Sequence, residues 1–233
     1  MAQLTGNERS HYVQSMFASI ARRYDLMNRL ITMAQDRQWR IEVIERAELH
    51  SGDHLLDLGS GTGDLVFEAV HHTPGAVPVA ADFTIAMMQV GRDRPGGHIV
   101  PWVGADALAL PFTDGKFDAI VSGFLMRNVS NLPLALAEQY RLLKPGGRIV
   151  ILDTTRRSKN WLSPLIYIYL QWAIPLLGWL IAGNSDAYTY LPDSTESFLS
   201  AETLAERMQA AGFQRVGFRR RMLGTIAIHF GVK

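Results

Sequence analysis

The densest chemistry in the chain sits in one short run, Asp57-Leu58-Gly59-Ser60-Gly61-Thr62-Gly63-Asp64. It follows the apolar stretch His54–Leu58 and opens a helical pattern over Asp64–His72, so it reads as a strand-to-helix turn. Glycines in such a turn let the backbone reverse tightly and approach a ligand closely. A dinucleotide fingerprint needs Gly or Ala at its sixth position. Counted from Gly59, that position is Asp64, and the fingerprint fails. An acid opening the helix also repels a pyrophosphate that seeks a helix N-terminus. The loop suits a ligand without phosphate and with a positive centre.

Two further acids stand at the same end of the following strands. Asp82 follows Val77–Ala81, and Asp106-Ala107 follows Ile99–Val103. A carboxylate at Asp82 can accept hydrogen bonds from both hydroxyls of a ribose. Asp106 suits an adenine amino group, with the backbone beside Ala107 reading a ring nitrogen. Asp57 can face an ammonium. Each Asp alone is as readily a cap or a turn residue. Three acids at three consecutive strand ends, around Gly59 and Gly61, point to S-adenosylmethionine (SAM) as cofactor.

The elements that must position these residues alternate between short apolar runs and helical patterns. Residues 8–33 and 36–49 read as helices, with Val13, Met16, Phe17, Ile20, Tyr24 and Met27 at helical spacing in the first. Strands are expected at 54–58, 77–81, 99–103, 117–123 and 148–152, with helices at 64–72, 84–93 and 132–143. Lys144-Pro145-Gly146-Gly147 reads as a stop and turn. A helix over 201–211 and two strands, about 213–221 and 223–231, complete the pattern. The alternation predicts an α/β fold: one doubly wound domain over 1–233, with a mostly parallel, seven-stranded, Rossmann-like sheet. Residues 1–50 form a helical cap on it and 154–200 an inserted apolar lid.

Composition sets limits. With 48% hydrophobic residues and 19% charged, the 233-residue chain can bury a core, which excludes disorder. A net charge of +1 argues against a nucleic-acid partner. The absence of cysteine excludes disulfides, thiolate zinc sites and a Cys nucleophile, and no metal site is expected. The N-terminal residues lack an apolar signal region, so a cytoplasmic location is expected. The stretch from Asn160 to Ser185 has no charge and is long enough to cross a bilayer, but Pro164, Gln171, Pro175 and Gly178 interrupt it. It reads as the lid. Its aromatic residues, Tyr167 and Trp172 among them, suit an apolar tunnel or a membrane interface. Arg156, Arg157 and Lys159 just before it suit anionic headgroups, so transient contact with the inner membrane face is expected.

Further marks run along the chain: Phe17-x-x-Ile20-Ala21-x-x-Tyr24-Asp25-Leu26-Met27-Asn28, Trp39-Arg40, Leu110-Pro111-Phe112, Phe117-Asp118, Arg127-Asn128, Leu143 through Gly147, Tyr190-Leu191-Pro192 and Ala227-Ile228-His229. On these the chain resembles the ubiquinone/menaquinone biosynthesis C-methyltransferases, a branch of the class I SAM-dependent methyltransferases. The resemblance implies methylation of a ring carbon on a demethylated, lipophilic quinol, either a demethylmenaquinol or a ubiquinol precursor. It implies that Thr62, Asp82, Asp106, Ala107 and Gly123 bind SAM. Gly123 stands where the family tends to have Ser, and the fifth strand ends in Leu152-Asp153-Thr154-Thr155 where Leu-Glu-Phe-Ser is usual.

Carbon is a poor nucleophile until a ring hydroxyl gives up its proton, and a phenol has a pKa near 10. Arg127 could stabilise a phenolate or order a water that takes the proton, and Asn128 could orient the ring oxygen; the other reading is that Arg127 makes a structural salt bridge and Asn128 caps the next turn. His229 is a candidate base, although a lone histidine in a last strand is more often a satisfied edge residue. Tyr24, Asp25 and Asn28 could close over the ligand. The alternatives are a methyltransferase for another apolar acceptor, such as a phenol, polyketide or sterol-like ring, and a non-catalytic SAM- or lipid-binding subunit. Substrate competition separates the first, and loss of turnover in Arg127→Ala the second. The oligomeric state stays open, a homodimer included.

Overall fold

The computed structural model describes residues 6–156, 195 and 198–233. The N-terminal region folds as α1 (Gly6–Ile20), a single 3-10 turn (Ala21–Arg23), α2 (Tyr24–Ile31) and α3 (Asp36–Ala47). Then follow β1 (His54–Leu58), α4 (Asp64–His72), β2 (Val77–Asp82), α5 (Ile85–Arg92) and β3 (Trp102–Gly104). The second half contains β4 (Phe117–Gly123), α6 (Leu132–Leu142), β5 (Leu143–Thr154), α7 (Ala201–Ala210), β6 (Gln214–Arg221) and β7 (Ile226–Val232).

The strands form one sheet in the order β3-β2-β1-β4-β5-β7-β6. The first five run parallel, and β7 lies antiparallel between β5 and β6. Strands covered on both faces must be apolar nearly throughout, and β1 and β4 are. Leu56, Ile120, Ile149 and Ile151 pack one face against Leu136 of α6 and Leu204 and Met208 of α7. Leu55, Ala119, Val121 and Val150 pack the other against Trp39, Val43 and Ile44 of α3 and Leu65 of α4. Strand order reverses between β1 and β4, and a doubly wound sheet opens a crevice outside the carboxyl ends of its strands at such a point. The glycine loop leaves β1 there.

Four local departures from the sequence expectation have physical causes. The helix expected over 8–33 breaks at residues 21–23, and Met33 and Ala34 take left-handed φ values of 51° and 60° after α2. The third strand begins at Trp102 rather than at residue 99, because Gly96 turns left-handed and Gly97–Ile99 coils into a 3-10 turn. Lys144–Gly147 follows the end of α6 at Leu142, but it is a bulge within β5 rather than a turn before it, and the register against β4 jumps from Phe117↔Leu143 to Ala119↔Arg148. The Gly146 amide donates to the Lys233 carbonyl and the Lys233 amide to the Gly147 carbonyl, which satisfies the bulge. The turn before β7 is a run of three left-handed residues, Met222, Leu223 and Gly224, and the strand starts at Ile226.

Residues 157–194, which contain most of the expected lid and both Tyr167 and Trp172, lie outside the described residues. Among the described residues no helix is long and apolar enough to cross a membrane.

Gly63 is the residue on which the glycine loop meets α4. Its φ is +85°, and a β-carbon there would lie 2.6 Å from the Trp102 ring. The left-handed conformation alone costs an L-residue about 1–2 kcal/mol. Gly63→Ala is therefore expected to lower the melting temperature by about 2–8 °C, read by a thermal melt followed by circular dichroism.

Candidate functional site

The loop after β1 is held open by its neighbours. The Gly59 and Ser60 amides donate to the Ala81 carbonyl at 2.8 and 3.0 Å, which ties the loop to the end of β2. Asp82 then accepts from the Gly61 amide at 2.8 Å through one carboxylate oxygen and from the Thr84 amide at 2.6 Å through the other. Asp82 therefore stitches the loop to the start of α5, a role its position in the sequence did not announce. Two backbone bonds leave a carboxylate with acceptor capacity for a ligand. Burial raises its pKa, while the Thr84 and Gly61 amides pull it back down.

Asp57 lies deeper, 1% exposed between β2 and β4. Neither of its oxygens makes a full hydrogen bond, though the Val66 amide lends weaker support. Burial and then the neighbouring Asp82 carboxylate hold it well above the usual carboxylate range. Asp106 sits in a turn after β3, where its side chain accepts from the Leu108 amide at 2.9 Å. Ala107 beside it is buried.

The cap is latched onto this loop by polar bonds. The Thr62 hydroxyl donates to Asp25 of α2 at 2.7 Å. Arg94 bonds the Thr62 carbonyl at 3.0 Å and Asp64 at 2.7 Å, lies 3.5 Å from Asp25, and stacks on Phe67. Arg40 of α3 bridges Asp36 at 2.9 Å and Asp64 at 2.8 Å. Asp64 is thus neutralised by Arg40 of the cap and by Arg94 of the turn after α5. Burial, then the proximity of Asp64, raises the pKa of Asp25. Sequence reasoning missed Arg94 altogether. It lies in a turn, at no recognisable spacing from its partners.

Two lobes of one cleft lie over the loop, sharing Tyr24, Gly59, Gly61, Gly123 and Phe124. The larger encloses about 850 Å³ of space, part of it open to solvent. Asp82, Asp106, Ala107 and Asn128 line it, with Phe17 of α1 and Met87 of α5. The smaller, about 410 Å³, is walled by Asp57, Thr62, Asp64, Arg40 and Asn28. Every residue expected to hold the cofactor lines one lobe or the other. Tyr24 reaches both, packed edge-on against Phe17. Burial raises its pKa, partly offset by the Asn28 side chain and the charge of Arg127, so it stays a neutral phenol.

Of the residues expected to act on the acceptor, Asn128 lines the larger lobe and donates to the Phe124 carbonyl at 3.0 Å. Arg127 stands behind the wall. It is 4% exposed, and its guanidinium donates to Asp153 at 2.6 Å while its amide donates to the same carboxylate at 3.2 Å. Between them Phe124 takes a left-handed φ of 60°, with its amide on the Leu152 carbonyl. Strain of this kind in a non-glycine residue persists only where its surroundings enforce it. His229 is elsewhere. Its Nε2 lies 2.9 Å from the Ala201 carbonyl at the start of α7, and since a carbonyl only accepts, that nitrogen carries the proton. Burial lowers its pKa. It lines neither lobe, which leaves it a buried tie between β7 and α7.

The sheet order, the antiparallel strand beside β5 and a glycine loop over the switch point define a Rossmann-like methyltransferase fold of class I. Solved structures with this fold include the cyclase SpnF (TM-score 0.69, 18% identity, 95% of this chain and 94% of that one). A possible histamine N-methyltransferase of Thermotoga maritima is another (TM-score 0.64, 19% identity, covering 94% and 99%). A cyclase among them shows that the fold alone does not dictate the reaction. The chain belongs to the ubiE/COQ5 methyltransferase family, whose model matches residues 5–233. It is 45% identical to the ubiquinone/menaquinone biosynthesis C-methyltransferase UbiE of Desulfotalea psychrophila, over 95% of this chain and 90% of that protein. It is 43% identical to the demethylmenaquinone methyltransferase of Thermus thermophilus, over 93% and 99%. The protein is a methyltransferase.

The state of Asp57 has a measurable consequence. An unfolded Asp ionises near pH 3.9. Because the folded group is held higher, its contribution to stability falls as pH rises from about 4 through the folded value, so burying the acid opposes folding more at pH 7 than at pH 4. Asp57→Asn is expected to raise the melting temperature of the ligand-free protein at pH 7, by about 2–4 °C per kcal/mol relieved, and to raise it less near pH 4. Thermal melts at the two pH values check this.

Proposed function

We propose that this methyltransferase uses SAM to methylate a ring carbon of a demethylated quinol bearing a lipophilic tail. The observation that carries the cofactor reading is the buried carboxylate of Asp57, which lacks a full hydrogen bond and faces the smaller lobe beside the glycine loop. An ionisable acid left so needs a cationic partner, and the SAM ammonium is one. Arg40, seated on Asp36 and Asp64, offsets their charge at the edge of the same lobe. In the larger lobe Asp82 takes the ribose hydroxyls while still holding the loop. Asp106 and Ala107 receive the adenine, against Met87. The names of the relatives supply the acceptor, and the apolar side of the larger lobe suits it.

SAM, when bound, supplies an electrophilic methyl group on a positively charged sulfur. The chain's own task is to align the acceptor and exclude water. Tyr24, as a neutral phenol, and Asn128 orient the ring oxygen. Arg127 does not touch the acceptor in this reading. Fixed by Asp153 behind Phe124, it provides a positive potential that favours the phenolate. His229, bonded to Ala201 away from both lobes, takes no part in the proton transfer.

Incubation with methyl-labelled SAM and chemically reduced demethylmenaquinol and ubiquinol-precursor analogues is expected to yield one labelled methyl on ring carbon, read by mass spectrometry. SAM binding without transfer to any quinol would overturn the acceptor reading. Removing Arg127 alone strands the buried Asp153 charge, at about 3–5 kcal/mol. The double change Arg127→Met with Asp153→Asn relieves this. It is expected to melt above Arg127→Met alone and to bind SAM within a few-fold of the parent, while turnover stays down by about 100-fold or more.

A further inference from the structure

One surface of α2 is unlike the rest of the cap. Tyr24 and Asn28, one turn apart, face the cleft, and Met27 is buried. On the opposite side Leu26 is 53% exposed and Leu30 40%, and Met33 in the following turn is 64% exposed. The Met33 amide donates to the Leu30 carbonyl, which keeps the three together. Scattered exposed apolar residues need no explanation, but an aligned row does.

The charges around the row have one sign. Arg22, Arg23, Arg29 and Arg37 are all exposed, and among the described residues none of them makes an ion pair. Between Ile20 and Gln38 the acids are Asp25 and Asp36, and both are taken up internally, by Thr62 with Arg94 and by Arg40. Four free guanidinium groups flanking an apolar row match an anionic lipid surface, into which the row dips while the arginines meet phosphates.

We infer that α2 and the turn after it dock this protein on an anionic bilayer. The inference rests on the reading that the acceptor carries a lipophilic tail. A helix is about 10 Å across, so docking on this face holds the cleft wall formed by Tyr24 and Asn28 one helix diameter from the headgroups, where such an acceptor resides. The contact belongs to an element of the cap, distinct from the uncharged stretch over 160–185.

The test is flotation of the full chain with vesicles of phosphatidylcholine containing phosphatidylglycerol, against phosphatidylcholine alone. Two surface variants accompany it: Leu26→Ser with Leu30→Ser and Met33→Ser, and Arg22→Gln with Arg23→Gln and Arg29→Gln. The parent is expected to partition onto the anionic vesicles and be released by salt. Each variant is expected to lose about tenfold or more of that partition, while keeping parental turnover on a tail-less, soluble quinol. Equal binding to neutral vesicles, or unchanged partition in both variants, overturns the assignment. So does concentration-dependent dimerisation that the leucine variant abolishes in a protein without vesicle binding, since the row would then be a self-interface. Failure to methylate the soluble quinol defeats the acceptor reading instead, and the vesicle result is independent of it.

Discussion

The Asp82 carboxylate is the hinge of the site. By accepting the Gly61 and Thr84 amides it joins a loop that begins at β1 to a helix that begins after β2. Without that bridge two backbone donors would stand unpaired in a buried place, and the glycine loop would have nothing to hold it over the sheet. The same carboxylate raises the pKa of Asp57, so the shape of the site and its electrostatics come from one side chain. The repulsion between the two acids is a cost that folding bears and a cationic ligand relieves. Function here is purchased from stability in the apo state.

A second layer transmits this arrangement to the cap. Asp64 stands in the first turn of α4, at its positive end, and meets Arg40 and Arg94, while Thr62 reaches Asp25. Three stretches distant in sequence, 25–40, 62–64 and 94, thereby close on one another through charge-assisted bonds, which are stronger and more directional than neutral ones. The cap is positioned by the same loop that would cradle the ligand, so the roof and the floor of the cleft are one electrostatic unit.

The order of strands and helices was legible because buried parallel strands are unmistakably apolar and the turns between them carry Gly and Asp. The acids at strand ends were legible for the same reason: a polar residue ending an apolar run needs a purpose. What escaped were interactions between remote segments. Nothing about Arg94 marks it as a partner of Asp64. Arg127 reads either as a residue facing the acceptor or as half of a structural salt bridge; it is turned inward onto Asp153, a partner that spacing alone could not name. His229 lies on the face of β7 that packs under α7, and strand alternation alone does not say which face that is. The Lys144–Gly147 stop does end α6 at Leu142, but what reads as a free turn is a bulge inside β5, because Pro-Gly-Gly signals a break equally well when the strand has already begun its pairing.

The place of β7 bears on the birth of the protein. Vectorial synthesis delivers β5 well before its antiparallel neighbour, which arrives only after residues 155–225 have been made. β6 emerges earlier than β7 yet pairs with it alone in the sheet. A nascent chain therefore carries β5 as an open edge, a row of unpaired amides and carbonyls backed by Ile149, Val150 and Ile151. Such an edge invites pairing with a neighbouring chain. Polysomes making this protein present that edge in many copies at once, until the final hairpin covers it.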